Sequence, residues 1–358
     1  MDYCKCTIRD SIAGENTMKT KYSIFLIELL ILLIGVTIVY GGSESRRGTA
    51  GALELLLPVG ARSSALAGSL NSSITGIEAV NWNPAGVGRD EITEAMFSTF
   101  NYIADIKMNF AGVAVNFGNI GTFGFSLRAL DFGDIPITTV DQPEGTGSMF
   151  TPSYSVFGFT YSNKFTERIS GGVNIKYVSE KIVRTSATGV AFDLGIQYLS
   201  STGISLGIVL KNLGPSMKFD GNDLEYYAPI PTQEPGSVSR PMRLEGNEFE
   251  LPSTLEIGIG YGVSFLEQHL VGLNFNFQNS NFGSDEYRLG VEYCWNDLIY
   301  LRGGFTRVQD QDNFIFGSSY GIGIKIPIGA VSKVVCDYGF RNVTHFDPNR
   351  WITIKISI

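Results

Sequence analysis

Few residues of this chain are of types that do chemistry. It holds two histidines, His269 and His345, and four cysteines. A general base needs a nucleophile and an orienting partner at a motif spacing, and neither histidine has a Ser or Cys so placed. His269 falls beside a predicted tight turn and His345 in a predicted outer loop. Cys4 and Cys6 form a Cys-x-Cys pair with no further Cys or His nearby, a poor metal site. Cys294 and Cys336 fall on opposite faces of non-neighbouring strands in the pattern below, so they are not expected to bridge. The run Asp220-Gly221-Asn222-Asp223-Leu224-Glu225 gathers oxygen ligands of the kind calcium prefers. Its spacing matches no standard calcium loop, and it reads as a solvated acidic turn. No catalytic residue, metal or cofactor is expected, and no enzyme.

One further group stands out, Trp82-Asn83-Pro84-Ala85-Gly86. It closes a segment, residues 42–89, rich in small residues such as Gly60-Ala61-Arg62-Ser63-Ser64-Ala65-Leu66-Ala67-Gly68. No period of two runs through it. Its Ala and Leu spacing allows short helices, and Asn83-Pro84 marks a turn. It reads as a compact unit that is not sheet, of small residues suited to a crowded interior.

The elements that must surround this unit are strands. From about residue 93 onward apolar and small or polar residues alternate. Val113, Val115 and Phe117 alternate with Gly112, Ala114 and Asn116. Tyr287, Leu289, Val291 and Tyr293 alternate with Arg288, Gly290, Glu292 and Cys294, and the chain ends on Ile352, Ile354, Ile356 and Ile358 against Thr353, Lys355 and Ser357. Strands are predicted near 93–103, 106–117, 121–131, 152–163, 168–180, 187–200, 203–213, 251–264, 268–279, 285–295, 298–306, 318–327, 330–340 and 350–358.

One face is bulky and apolar, the other small or polar, the lipid-out, lumen-in pattern of a membrane barrel. A soluble sandwich also alternates, but its solvent face should carry more charge. Only 17% of residues are charged, 12% are aromatic, and 42 are Gly. Loop lengths separate the two readings further. Tight turns at Asn119, 164–166, 201–202, Glu267, 296–297 and 328–329 alternate with longer gaps, notably 132–151, 213–250 and 308–317. Short periplasmic turns and long outer loops are expected of outer-membrane barrels. Hydrocarbon offers no hydrogen bonds, so strands enter it only as a closed sheet. The fold class is therefore all-β, a transmembrane antiparallel barrel of about fourteen strands over residues 90–358 with an N-terminal plug.

Upstream, Met18, Lys19 and Lys21 open a basic region, and an apolar run from Tyr22 to Tyr40 is interrupted once by Glu28. Val39-Tyr40-Gly41 then offers a cleavage site. Residues 18–41 read as a signal peptide, with residues 1–17 as an extension ahead of the true start. The competing reading is an uncleaved anchor. The expected location is the cell outer membrane. A net charge of −8 argues against nucleic acid as a partner.

The segment from Leu57 to Gly68, followed by Trp82-Asn83-Pro84-Ala85-Gly86, resembles the opening of the PorV/PorQ family. Arg288-Leu289-Gly290-Val291-Glu292-Tyr293 with Leu301-Arg302-Gly303-Gly304-Phe305 does the same for later strands. Asp337-Tyr338-Gly339-Phe340 and Trp351-Ile352-Thr353-Ile354-Lys355-Ile356 are similar to that family's last hairpin, with Asn349-Arg350 where it carries His-Arg. The family in turn resembles the FadL-type fatty-acid transporters, whose Asn-Pro-Ala motif lies in a hatch plugging a fourteen-stranded barrel. The resemblance implies that residues 42–89 form such a hatch around Asn83, Pro84 and Ala85. It implies a role in docking or shuttling exported proteins at the surface, as in type IX secretion, with secreted proteins or translocon components as partners. The alternative is a FadL-like channel for hydrophobic small molecules or long-chain fatty acids. Outer-membrane lipid is a partner under either.

Overall fold

The computed structural model of the chain describes residues 46, 48–228, 239–266, 268–309, 314–329 and 332–358. The expected extension 1–17, the expected signal peptide 18–41, Cys4, Cys6 and Glu267 lie outside them.

Fourteen strands make up the wall: β1 (Glu94–Asn101), β2 (Lys107–Asn116), β3 (Thr122–Asp131), β4 (Ser153–Lys164), β5 (Ile169–Ile182), β6 (Thr185–Leu199), β7 (Ile204–Leu213), β8 (Thr254–Phe265), β9 (His269–Ser280), β10 (Glu286–Trp295), β11 (Ile299–Val308), β12 (Phe316–Ile328), β13 (Ser332–Val343) and β14 (Asn349–Ser357). Each pairs antiparallel with its sequence neighbours. β1 closes the cylinder on β14, from Glu94 opposite Ser357 to Asn101 opposite Arg350. Closure pairs the peptide groups that an open edge would leave bare in lipid. The expected strand ends differ from these by at most three residues, as at 251 against Thr254.

Side-chain alternation sets which face is which. On β14, Ile352, Ile354 and Ile356 are 54%, 44% and 46% exposed, while Lys355 between them is only 7% exposed. The apolar row meets lipid; the polar row enters the lumen. Cys294 is buried and Cys336 exposed, and no disulfide joins them.

The turns on one rim are tight. Asn296 and Asp297 take φ of 53° and 55°, a left-handed pair that Asn and Asp tolerate in a two-residue hairpin. The opposite rim carries the long connections 132–152 and 214–253. One hairpin departs from the expected alternation. β5 and β6 join on the long-loop rim through Val183 and Arg184 alone. At 14 and 15 residues these strands are longer than a tilted membrane span requires. The hairpin tip is tied to the acidic run expected to be a solvated turn: Asp223 accepts from the Arg184 backbone N–H at 3.0 Å and from Nε at 2.9 Å. Asp220 pairs with Arg243. These acids are spoken for by arginines rather than gathered around a cation.

Residues 48–89 sit inside the cylinder. They form two short helices, α1 (Ala61–Ala65) and α2 (Ala79–Trp82), and 3-10 turns at Leu53–Leu56, Leu70–Ser72 and Pro84–Gly86. Leu66, Leu70, Ile74, Ile77 and Trp82 build an apolar centre that continues into Met108, Phe110 and Trp351 of the wall. α1 packs on β11 to β14, Leu70–Ser72 on β7 to β9, and Pro84–Gly86 on β4 to β6.

Candidate functional site

The plug is held by polar bonds in three sectors. At the Asn-Pro-Ala turn, Asn83 is fully buried. Its Oδ1 caps the turn by accepting from the Ala85 N–H at 3.1 Å. Its Nδ2 donates to Asn71 Oδ1 at 2.7 Å and across to the wall at Ile196 O, 3.3 Å. Pro84 opens the turn, where its missing N–H costs nothing. Ser162 Oγ of β4 donates to Ala85 O at 3.0 Å, and Trp82 Nε1 to Val59 O at 2.9 Å. The wall meets this turn with glycine. A Cβ on Gly195 would fall 2.0 Å from Asn83 Oδ1, and one on Gly172 would fall 2.4 Å from the Pro84 carbonyl carbon. A Cβ on Gly86 itself would fall 2.1 Å from Ile74 O. The structure thus brings Trp82, Asn83, Pro84, Ala85 and Gly86 together as a plug-to-wall joint, and of the five Trp82 also lines the larger cavity described below.

A second sector is ionic. Arg62 donates to both Glu292 oxygens, from Nε at 3.0 Å and Nη2 at 2.9 Å. Arg302 bonds Glu292 and Asp337, each at 2.6 Å. Lys355 reaches Glu78 at 3.0 Å, which also accepts from the Ser63 N–H and Oγ at 3.0 and 2.7 Å. Burial alone would raise the Glu78 pKa, but Lys355 and Arg62 more than offset it and hold the carboxyl below its ordinary range. Arg62 is likewise pushed down by burial and, on balance, raised by Glu292. A third sector is amide: Gln197 Nε2 donates to Asn71 O at 2.9 Å and Ile74 O at 3.0 Å. Each such bond is worth about 1 kcal/mol net, more where charged.

Two cavities flank the plug. Toward the tight-turn rim lies one of about 310 Å³, lined by charged groups including Arg62, Arg89, Glu94 and Lys355. Toward the long-loop rim lies a larger one of about 640 Å³. Its floor is plug, with Leu55, Leu57 and Trp82; its walls include Tyr102, Phe219 and Phe316. Glu54 also faces it, buried, and desolvation raises its pKa, with smaller opposing contributions. The barrel wall beside this cavity is notched. β11 and β12 pair from Ile299 opposite Ile324 to Gly304 opposite Ser319, and the ladder ends there. A bulge between Phe316 and Ser319 shifts the next register. Thr306 and Phe316, on the two sides of the notch, both line the cavity.

His269 and His345 lie away from both cavities. His269 Nδ1 is 2.7 Å from Tyr293 Oη and stacks on Phe265; His345 is exposed.

No family model matches the sequence, and no curated protein does. Solved structures do match. The toluene transporter TodX of Pseudomonas putida is 13% identical, covering 84% of this chain and 97% of its own, at a TM-score of 0.52. The CymD monoaromatic hydrocarbon channel is 14% identical over 84% and 97%, at 0.51. A Pseudomonas aeruginosa FadL homologue aligns over 84% and 98% at 10% identity and a TM-score of 0.48, too distant to argue from. The likeness is one of fold, a closed antiparallel barrel shared with TodX and CymD. With its closed wall and outward apolar rows the chain is built for the outer membrane. The PorV/PorQ-specific resemblance has no match beside these.

The aromatic cavity was not legible beforehand. Its rings come from distant places, Tyr102 between β1 and β2, Phe219 and Phe249 in the long loop, Phe316 at the end of β12. The one available signal was that these aromatics sit at strand ends or in loops, outside the lipid-facing rows.

Proposed function

We propose that this chain is a plugged outer-membrane channel for hydrophobic small molecules, acting without covalent chemistry. The observation that carries this reading is the outer cavity of about 640 Å³, floored by apolar plug residues and walled by aromatic rings. Sites for small hydrophobic ligands have this size and lining. The titles of two matched structures, a toluene transporter and a monoaromatic hydrocarbon channel, lend support from fold likeness. Of the two roles considered from sequence, hydrophobic transport is backed better than docking of exported proteins, which has no counterpart among the matches. The notch between β11 and β12 offers a side route out of the cavity; the ion-paired plug below it bars a straight one.

The test is uptake of radiolabelled naphthalene by cells that carry the protein or lack it, with Ile106, which also lines the cavity, changed to Trp (Ile106→Trp) to fill it. Uptake that depends on the protein and falls in the variant supports the reading. Uptake indifferent to both, with secreted proteins copurifying in stoichiometric amounts from native membranes, would replace it with docking.

A further inference from the structure

The outward face of the wall changes character from rim to rim. Ile354, Phe97, Ala111, Leu127, Phe157 and Tyr177 pair in one row across β14 and β1 to β5. Four residues nearer the long-loop rim, the same strands carry Arg350, Asn101, Lys107, Asp131, Ser153 and Lys181, again paired in one row and all exposed. At the tight-turn rim, outward positions include the exposed rings Phe117, Phe265 and Trp295. Below Lys107, a groove of about 710 Å³ opens on the lipid side of β2 to β5. It is lined by the small residues Ala111, Gly112 and Gly158 and by Phe125, Leu127 and Phe157.

Aromatic rings suit either interface of a bilayer. An outward cation gains only where anionic headgroups meet it. Arg350 and Lys107 are separated by one strand, β1, so their backbones stand about 10 Å apart. Among the described residues neither takes part in an ion pair. A guanidinium takes phosphate oxygens in two parallel bonds, and an ammonium adds a point charge. Asp131 opposes Lys107 in the row, but the row's three cations outnumber it. Asp105 and Asp347 are exposed in the adjoining connections, and a phosphate reaches them only through a divalent cation. The outer leaflet of an outer membrane is the one that presents phosphorylated glycolipid, and these cations stand at that end of the strands.

We propose that Arg350 and Lys107, on either side of Asn101, form a docking site on the outside of the wall for a phosphorylated glycolipid of the outer leaflet. The phosphate lies between the two cations, and an acyl chain lies in the groove over Ala111. The site is independent of what passes through the lumen.

Native mass spectrometry of the full-length protein in detergent tests it, by titration with lipid A or with lipid A stripped of its phosphates, EDTA being present throughout. Each cation should contribute roughly fivefold in affinity, so wild type should bind lipid A at least about tenfold more tightly than the stripped lipid. The double variant Lys107→Gln, Arg350→Gln should bring the two lipids within about twofold of each other. Ala111→Trp, which fills the groove, should weaken both lipids alike. Wild type binding the two lipids equally would overturn the proposal, and that comparison needs no variant to fold. A preference that survives the double variant would overturn it as well. So would a preference seen only when magnesium replaces EDTA, which would assign the contact to Asp105, Asp131 and Asp347 through a bridging cation.

Discussion

Arg62 of α1 and Glu292 of β10 meet side-on, two donors against two acceptors at 3.0 and 2.9 Å, deep in the lumen. The bond joins the plug to the wall, residues 230 apart in sequence. Removing Arg62 leaves Arg302 alone to face both Glu292 and Asp337, one negative charge in excess in a place with little water. Arg62→Ala should therefore cost about 3–5 kcal/mol. Its checks are a lower unfolding temperature by heat-modifiable gel mobility and a rise in ion conductance across planar bilayers. The double change Arg62→Met, Glu292→Leu should recover most of the lost stability, since no unpaired charge remains.

Gly195 and Gly262 make a steric comparison. A methyl on Gly195 runs into Asn83 Oδ1, whereas nothing lies within 4 Å of one on Gly262. Gly195→Ala should destabilise by about 1–3 kcal/mol through displacement of the Asn-Pro-Ala turn. Gly262→Ala should stay within about 1 kcal/mol of wild type. Urea-driven unfolding from lipid vesicles reads both, and equal effects at the two sites would contradict the joint described for Asn83.

Lipid exposure is testable on β14. Ile354 faces outward at mid-strand beside inward Lys355. Ile354→Lys should cost about 2–4 kcal/mol if position 354 lies near the bilayer midplane. Folding yield into vesicles of defined thickness measures it. A cost near zero would place this row in water.

Acid should loosen the plug through Glu78. Its folded pKa is lowered below the unfolded value, because Lys355 and Arg62 outweigh burial. Its contribution is thus fully present above the unfolded pKa, near 4.5, and is lost as pH falls through the lower folded value. Thermal midpoints of wild type should drop below about pH 4.5 more steeply than those of Glu78→Gln. Parallel curves for the two proteins would remove Glu78 from the account.

Much of this molecule was readable before its structure. Period-two alternation in segments such as Tyr287–Cys294 and Ile352–Ile358 marks strands locally, because neighbouring side chains on a strand must point to opposite faces. Tight-turn residues such as Asn296-Asp297 mark their ends. The closed wall follows, since lipid cannot satisfy an open edge. Small residues around Gly60–Gly68 and Asn83-Pro84 marked a unit that was not wall.

What the chain's order of residues could not disclose is which parts meet across the lumen. Arg62 finds Glu292, and Lys355 finds Glu78, only once fourteen strands have curved shut around the plug. The inward glycines at 172 and 195 read as neutral alternation until Pro84 and Asn83 lie against them. Arg341 looks like any inward cation until closure sets its guanidinium over Phe316 and Trp351. Alternation is a property of adjacent residues and survives in a single line of letters. Partnership across a barrel depends on register, shear and plug position, which belong to the closed cylinder as a whole.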